Sequence, residues 1–505
     1  MTERSEVIIR QSRPGQGGSP RSGDPDLTHF DSASALAARL RRRELSSREL
    51  VDLYLDRIER LNPVVNAVVT LDAERARVEA AAADEAAARG EDLGPLHGLP
   101  VTIKDSIETA SLRTTCGAPE LAGHVPQRDA TAVARLRAAG AVVLGKTNTP
   151  AWAADAQTDN PVFGRTSNPW DLTRSPGGSS GGPAAAVAAG LTGLDLGSDL
   201  GGSIRMPAGY CGVYGLRPSF GVVPQRGHLP PPPGVRTEID MAVLGPLARG
   251  ADDLALALDV LAGPDEPHAA GWRLDLPAPR ADTLAGYRIA AWLDDAAHPV
   301  DTAVLDVLFG VVTELRREGV KVDDHPGPVD LAESARLFQR LVQPFLGTMM
   351  DDAAFADLTA LAATDASTPR ARWARHVTAP VREWAFTHER RLEVTAAWAR
   401  MFRDVDVLLC PVTPTTANSH DATPDPDERR ITVNGATVPY WEQVRWVQAL
   451  SITHLPVATV PIGLSAGGLP VGVQVVGPFL GDRTVVDVAR RLADVVGGYR
   501  PPPGF

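Results

Sequence analysis

Short apolar runs closed by glycine or a charge alternate with helical stretches along most of this chain. GPLHGLPVTIKD reads as a turn into a strand at Val101–Lys104, residues 130–139 as a helix ended by Gly140, and AVVLGKTN as a buried strand. PAAAVAAG is a small-residue helix suited to lying close on a sheet, TGLDLGSD is a further strand, and SIRMPAGYCG opens another helix. Strand character returns far downstream in DVDVLLCPVTPTT, LPVATVPIGL and GLPVGVQVVGP. This alternation leads to an α/β fold with a mixed, mostly parallel central sheet covered by helices. The late return of strands favours one large domain over two or three smaller ones, and 505 residues can bury the core this needs.

Outside that pattern, residues 1–26 have no apolar signal-like run and read as a flexible lead-in, leaving 27–505 as the folded domain. Residues 31–62 read as two amphipathic helices, the second opened by a capping box of Ser46 and Glu49 and closed by Pro63. A third helix follows at 73–89. Residues 265–400 are helix-rich and poor in motifs, an expected insertion on the substrate side. Their Trp373, Trp384, Phe386, Trp398 and Phe402 recur near helical spacing and read as packing residues.

A net charge of −12 with no basic stripe argues against nucleic acid as the partner. Apolar runs are broken before membrane-spanning length. Cys116, Cys211 and Cys410 lie far apart, with neither metal-site spacing nor a full disulfide set, which suits a reducing cytoplasmic setting without a metal.

Only three of the 50 basic residues are lysine: Lys104, Lys146 and Lys321. Arginine stays protonated at any workable pH, whereas a desolvated lysine can act as a base. A lysine kept in so arginine-rich a chain is therefore a candidate for proton transfer, although Lys321 in EGVKVDD reads as an ordinary surface residue.

Three stretches match known motif patterns. GAVVLGKT fits the phosphate-loop pattern, but AVVL wants to be a strand and Pro150 opposes a helix after the threonine, so a strand with its exit turn is expected. GGSSGG fits the nucleophile-elbow pattern at Ser179 or Ser180, yet its approach is polar and the downstream His228 and His454 sit in no local signature. In DLGGSIR a strand ends at Asp199, two glycines turn the chain and Ser203 follows. A tight strand–helix turn with a capping serine and an oxyanion-binding cluster of amides fit this stretch equally.

Taken together, GLPVTIKD, GKTNTPAWA, NPWDLTRSPGGSSGG and LGSDLGGSIRMPAGYCGVYGLRPSFG, in this order, resemble the amidase signature family of serine hydrolases. The resemblance runs from about residue 30 to the C-terminus and is strongest over 94–250. It implies a Ser–Ser–Lys triad in which Ser203 is the nucleophile, Ser179 (typically after a cis peptide bond) the bridge, and Lys104 the base. It also implies an oxyanion hole from the amides of Leu200, Gly201, Gly202 and Ser203. Ser180, Asp199 and Arg205 match positions that brace such a site, their other reading being ordinary loop polarity. Lys146 looks structural. Trp152 and the Pro230–Pro233 run, Pro231 included, either line a substrate channel or form a stiff surface loop.

The family cleaves amides and, in some members, esters and carbamates without a cofactor. The expectation is a free-standing hydrolase of neutral amides and small carbamates, a urethanase-type member being a variant. Its partner is then a small molecule, with no nucleic acid and no membrane, and homodimers are frequent in the family. The alternative is the A-type subunit of a tRNA-dependent amidotransferase. Those subunits usually carry glutamine where this chain has Met206, and they lack the PPPP loop.

Overall fold

The alternation folds into one α/β domain around an eleven-stranded mixed sheet. The computed structural model describes residues 25–91, 94–364 and 368–505, so the lead-in expected over 1–26 lies outside the described residues up to 24, and Pro25–Phe30 already form a 3₁₀ turn. In chain order the strands are β1 (Val68–Leu71), β2 (Pro100–Lys104), β3 (Val142–Thr147), β4 (Leu194–Asp199), β5 (Tyr214–Arg217), β6 (Val243–Ala248), β7 (Ile289–Ala291), β8 (Val322–Asp324), β9 (Val407–Pro411), β10 (Arg430–Val433), β11 (Ala436–Pro439), β12 (Val457–Leu464) and β13 (Pro470–Val476). Across the sheet they run β1-β3-β2-β4-β6-β5-β12-β13-β9-β7-β8, while β10 and β11 form a separate hairpin.

The sheet is mixed as expected, but antiparallel pairings outnumber parallel ones. Parallel pairing is confined to two patches, β3-β2-β4 and β9-β7-β8. The middle, from β4 through β6, β5, β12 and β13 to β9, is antiparallel. The reason lies in the connections. A parallel pair needs a crossover, usually helical. β12 returns into β13 through the short segment 465–469, and no helix separates β5 from β6.

Burial explains why these segments became strands. Every residue of β2, β3, β4, β5, β6, β9 and β13 is buried, as continuous apolar runs covered on both faces must be. The helix Gly181–Ala188 is buried at all eight positions. Glycine at 182 allows that close approach, because a Cβ there would strike the backbone of Asn148. Near the N-terminus the capping box of Ser46 and Glu49 opens a helix over Ser47–Val65 that continues through Pro63 and ends at Asn66 in the left-handed region. Among the described residues no helix is long and apolar enough to cross a membrane.

Lys104 is the last residue of β2 and Asp199 the last of β4, on neighbouring parallel strands. The crevice outside the carboxyl ends of such strands is where α/β sheets place ligands.

Candidate active site

Lys104 enters the site because β2 runs out at it. The side chain is fully buried, and Nζ donates to Ser179 Oγ at 2.7 Å and to Ser198 Oγ at 3.0 Å. Burial pulls its pKa down to about 7, the negative charges of Asp199 and Asp195 only partly opposing it. At neutral pH a large fraction is therefore the free amine, able to accept a proton.

Ser179 follows a cis peptide bond from Gly178 and is itself buried. Ser180 does the joining: its amide donates to the carbonyl of Ser203 at 3.0 Å, and its hydroxyl donates to the carbonyl of Ser198 at 3.1 Å. The two glycine–serine stretches, far apart as motifs, are thus stitched into one loop pair. Ser203 sits half-buried on the cavity wall beside Ser179, its hydroxyl without a protein partner among the described residues.

Asp199 organises the turn before Ser203. Its carboxylate accepts from the amides of Gly202 (2.9 Å), Ile204 (3.1 Å) and Arg205 (3.3 Å). Arg205 adds Nε and Nη2 at 3.0 Å each, and Arg217 adds Nη1 at 3.3 Å. Burial alone would raise this carboxyl's pKa, but the two guanidinium groups hold it far below the usual range. Arg205 is held in turn by Val447 O (2.9 Å), Gln474 Oε1 (3.0 Å) and Ser451 Oγ (2.7 Å).

Of the four amides expected as oxyanion donors, one already has an acceptor. The single N–H of Gly202 is committed to Asp199, while the amides of Leu200, Gly201 and Ser203 are left without an acceptor among the described residues. The helix also begins at Arg205 rather than at Ser203, which leaves the serine in the turn itself.

The site opens into a cavity of about 1870 Å³. Trp152 lines it from a 3₁₀ turn, Ala151–Ala153, with a left-handed φ of 55°. From the proline run it is Pro230, not Pro231, that reaches the wall, next to His228. The 265–400 region also lines the cavity: the helix Leu331–Gly347 supplies Phe338 and Gln343, and Pro369–Val377 supplies Trp373 and His376. Of the five aromatics read as packing residues, Trp398 and Phe402 are core, but Trp373 and Phe386 line the cavity. Helical spacing could not separate the two, since a cavity-facing stripe and a core stripe have the same period.

Lys146 stays within β3, fully buried, donating to Ile107 O and to Thr109 Oγ1 at 2.8 Å, as a strand residue rather than a phosphate ligand. His454 pairs with Asp240 at 2.8 Å and stacks on Phe220. The sequence reading missed Ser198 and Arg217. Ser198 had a signal, being the hydroxyl residue just before the strand-ending aspartate. Arg217 had none locally, because its partner lies on another strand. Among the described residues no cluster of metal-ligating side chains occurs.

The amidase family model matches residues 49–486. The A subunit of glutamyl-tRNA(Gln) amidotransferase from Synechococcus sp. (strain CC9605) is 34% identical over 488 residues, covering 91% of this chain and 95% of its own. The solved A subunit of the same enzyme from Thermotoga maritima superposes with a TM-score of 0.76 at 26% identity, over 94% of this chain and 98% of that one. A chain from a vestigial protein complex that bears on the origins of an s-triazine catabolic enzyme gives 0.78 at 30% identity, over 93% and 100%. These likenesses overturn two expectations. A free-standing hydrolase of neutral amides, carbamates and esters does not fit curated relatives that are subunits of an amidotransferase. Nor does a small molecule as sole partner, without nucleic acid, fit relatives named for a tRNA.

Proposed function

Because the chain belongs to the amidase family, and is thereby an enzyme of the hydrolase type acting on carbon–nitrogen bonds, we propose that it is the amide-cleaving A subunit of a tRNA-dependent amidotransferase of the glutamyl-tRNA(Gln) type. The observation that carries this is the likeness to the Synechococcus A subunit over most of both chains. Met206, where a glutamine is usual, does not weaken it. The side chain is buried with Ala156, Tyr210, Val412 and Val447 in an apolar cluster and does not reach the cavity.

In this reading the chain takes ammonia from a primary amide, and partner subunits deliver it to the glutamyl group on tRNA. Ser203 Oγ attacks the amide carbon as its proton passes to Ser179 and that of Ser179 passes to neutral Lys104. Negative charge on the former carbonyl oxygen is met by the amides of Leu200, Gly201 and Ser203. The C–N bond then breaks, Lys104 and Ser179 returning a proton to the departing nitrogen as ammonia. Water attacks the acyl-serine by the same relay and frees the acid. The 2.7 Å contact of Lys104 with Ser179 supports the first transfer, and the lowered lysine pKa supports its direction.

The test is to co-express the chain with the remaining amidotransferase subunits and measure ammonia release from L-glutamine and amidation of glutamyl-tRNA(Gln). A stable complex that forms glutaminyl-tRNA(Gln), with activity lost in Ser203→Ala, is the expected result. A purified chain that binds no partner and is not stimulated by the charged tRNA overturns the reading.

A further inference from the structure

Protonating Lys104 inside the protein creates an ammonium where water is excluded, and an ammonium there needs a counter-charge. Asp199 is a poor source, since Arg205 and Arg217 already engage it. A second buried carboxylate lies on the same two strands. Asp195 of β4 is fully buried and pairs in register with Thr102 of β2. Thr102 is two residues from Lys104, so both side chains leave the same face of the sheet. Asp195 Oδ2 accepts from Thr102 Oγ1 at 2.6 Å and from Thr147 Oγ1 at 2.9 Å, and Oδ1 is buried without a partner.

Other charged and titratable groups surround it on the neighbouring elements. Lys146 of β3 hydrogen-bonds Ile107 and Thr109 and shares the field of Asp195 with Lys104. Asp105, after β2, accepts from Thr115 at 2.5 Å and 3.0 Å and faces Lys146. Cys116 is a buried thiol pushed up by its burial, and His228 is held neutral by its own. Asp129 and Glu108 bear on Lys146 from further off. The helix Gly181–Ala188, packed over these strands, carries no titratable side chain.

We propose that Asp195 is a positioning residue for the reaction: its carboxylate, fixed between the hydroxyls of Thr102 and Thr147, supplies the buried counter-charge for the ammonium form of Lys104. The inference rests on the reading of Lys104 as base. Burial raises the Asp195 carboxyl to about 6, and the two threonines and the lysines draw it back down.

The experiment needs neither substrate nor partner. The rate at which phenylmethanesulfonyl fluoride sulfonylates Ser203 (Ser203 Oγ displacing fluoride, its proton passing to Lys104) is followed by mass spectrometry from pH 5.5 to 9.5 on the full chain. The wild type is expected to show an acid limb near pH 7. Asp195→Asn removes the negative charge, favours the free amine and moves that limb to lower pH by about three- to tenfold in the protonation equilibrium. Thr147→Val, which keeps the carboxylate but removes one of its donors, moves it the same way by less and decides the matter if Asp195→Asn does not fold. A wild-type limb that neither variant moves overturns the role of Asp195 and leaves Lys104 as base. A wild type labelled at Ser203 without any limb overturns both, and no label at Ser203 removes the nucleophile assignment itself.

Discussion

Replacing Lys104 by methionine is expected to abolish reaction at Ser203 and yet to stabilise the protein at neutral pH. Burial pulls the lysine from its ordinary 10.5 to about 7, which corresponds to about 5 kcal/mol. Between those values the unfolded chain holds a proton that the folded one does not. Stability therefore rises with pH through that window, and the cost is complete below pH 7. Methionine removes the cost but leaves the hydroxyls of Ser179 and Ser198 without the donor now 2.7 Å and 3.0 Å away, a loss of about 1 kcal/mol each. The variant should be more stable than wild type by about 3 kcal/mol at pH 6.5 and less stable by about 2 kcal/mol at pH 10.5, the curves crossing near pH ~9. Urea unfolding at a series of pH values, read by tryptophan fluorescence, gives this difference directly, and Lys146 cancels because both proteins carry it. A difference that stays flat with pH, or a variant less stable at pH 6.5, refutes the claim that Lys104 is held in the fold as a strained cation.

Three further outcomes follow from the same geometry. Ammonia release by the assembled enzyme should fall about tenfold per pH unit below pH 7 and level off above, because the lysine must be neutral to accept a proton; a profile flat from pH 5.5 to 9 contradicts this. Gly202→Ala should cut kcat by at least about 10²-fold with the fold retained, since φ is +111° there and the added Cβ strikes Val447, displacing the turn that aims Ser203; unchanged kcat with a normal melting curve counts against it. Arg217→Met should destabilise by about 3 kcal/mol, because Asp199 keeps its charge but loses a buried partner; chemical denaturation reads this, and a change below ~0.5 kcal/mol contradicts it.

Much of the candidate site was legible in the sequence because it is local. Lys104 ends a run whose strand character is plain, and the glycines around Ser179 and Ser203 mark turns no other residue makes easily. Scarcity helped as well, two of the three lysines proving to be the buried ones. What could not be read is what depends on pairing across the sheet. The antiparallel centre, the commitment of the Gly202 amide to Asp199 and the second guanidinium from Arg217 are set by neighbours distant in the chain. The cavity wall was misassigned for a different reason: Trp373 and Phe386 differ from Trp398 and Phe402 only in which space lies beside their helices. Substrate and partner are not written in Met206 or the proline run, because a residue's identity does not show where it packs, and Met206 packs away from the site.

Arg205 has a consequence for biosynthesis. The groups that fix it, on Val447, Ser451 and Gln474, lie 242, 246 and 269 residues further along the chain. Strands β12 and β13, which carry the centre of the sheet, belong to the same late segment. A nascent chain that has already emerged with Lys104, Ser179 and Ser203 thus holds the proposed triad but not the late contacts that fix Arg205 beside Asp199. The turn before Ser203 can therefore be fixed only after residues 447–474 have been made, so a fragment that stops short of them is expected to lack a shaped site.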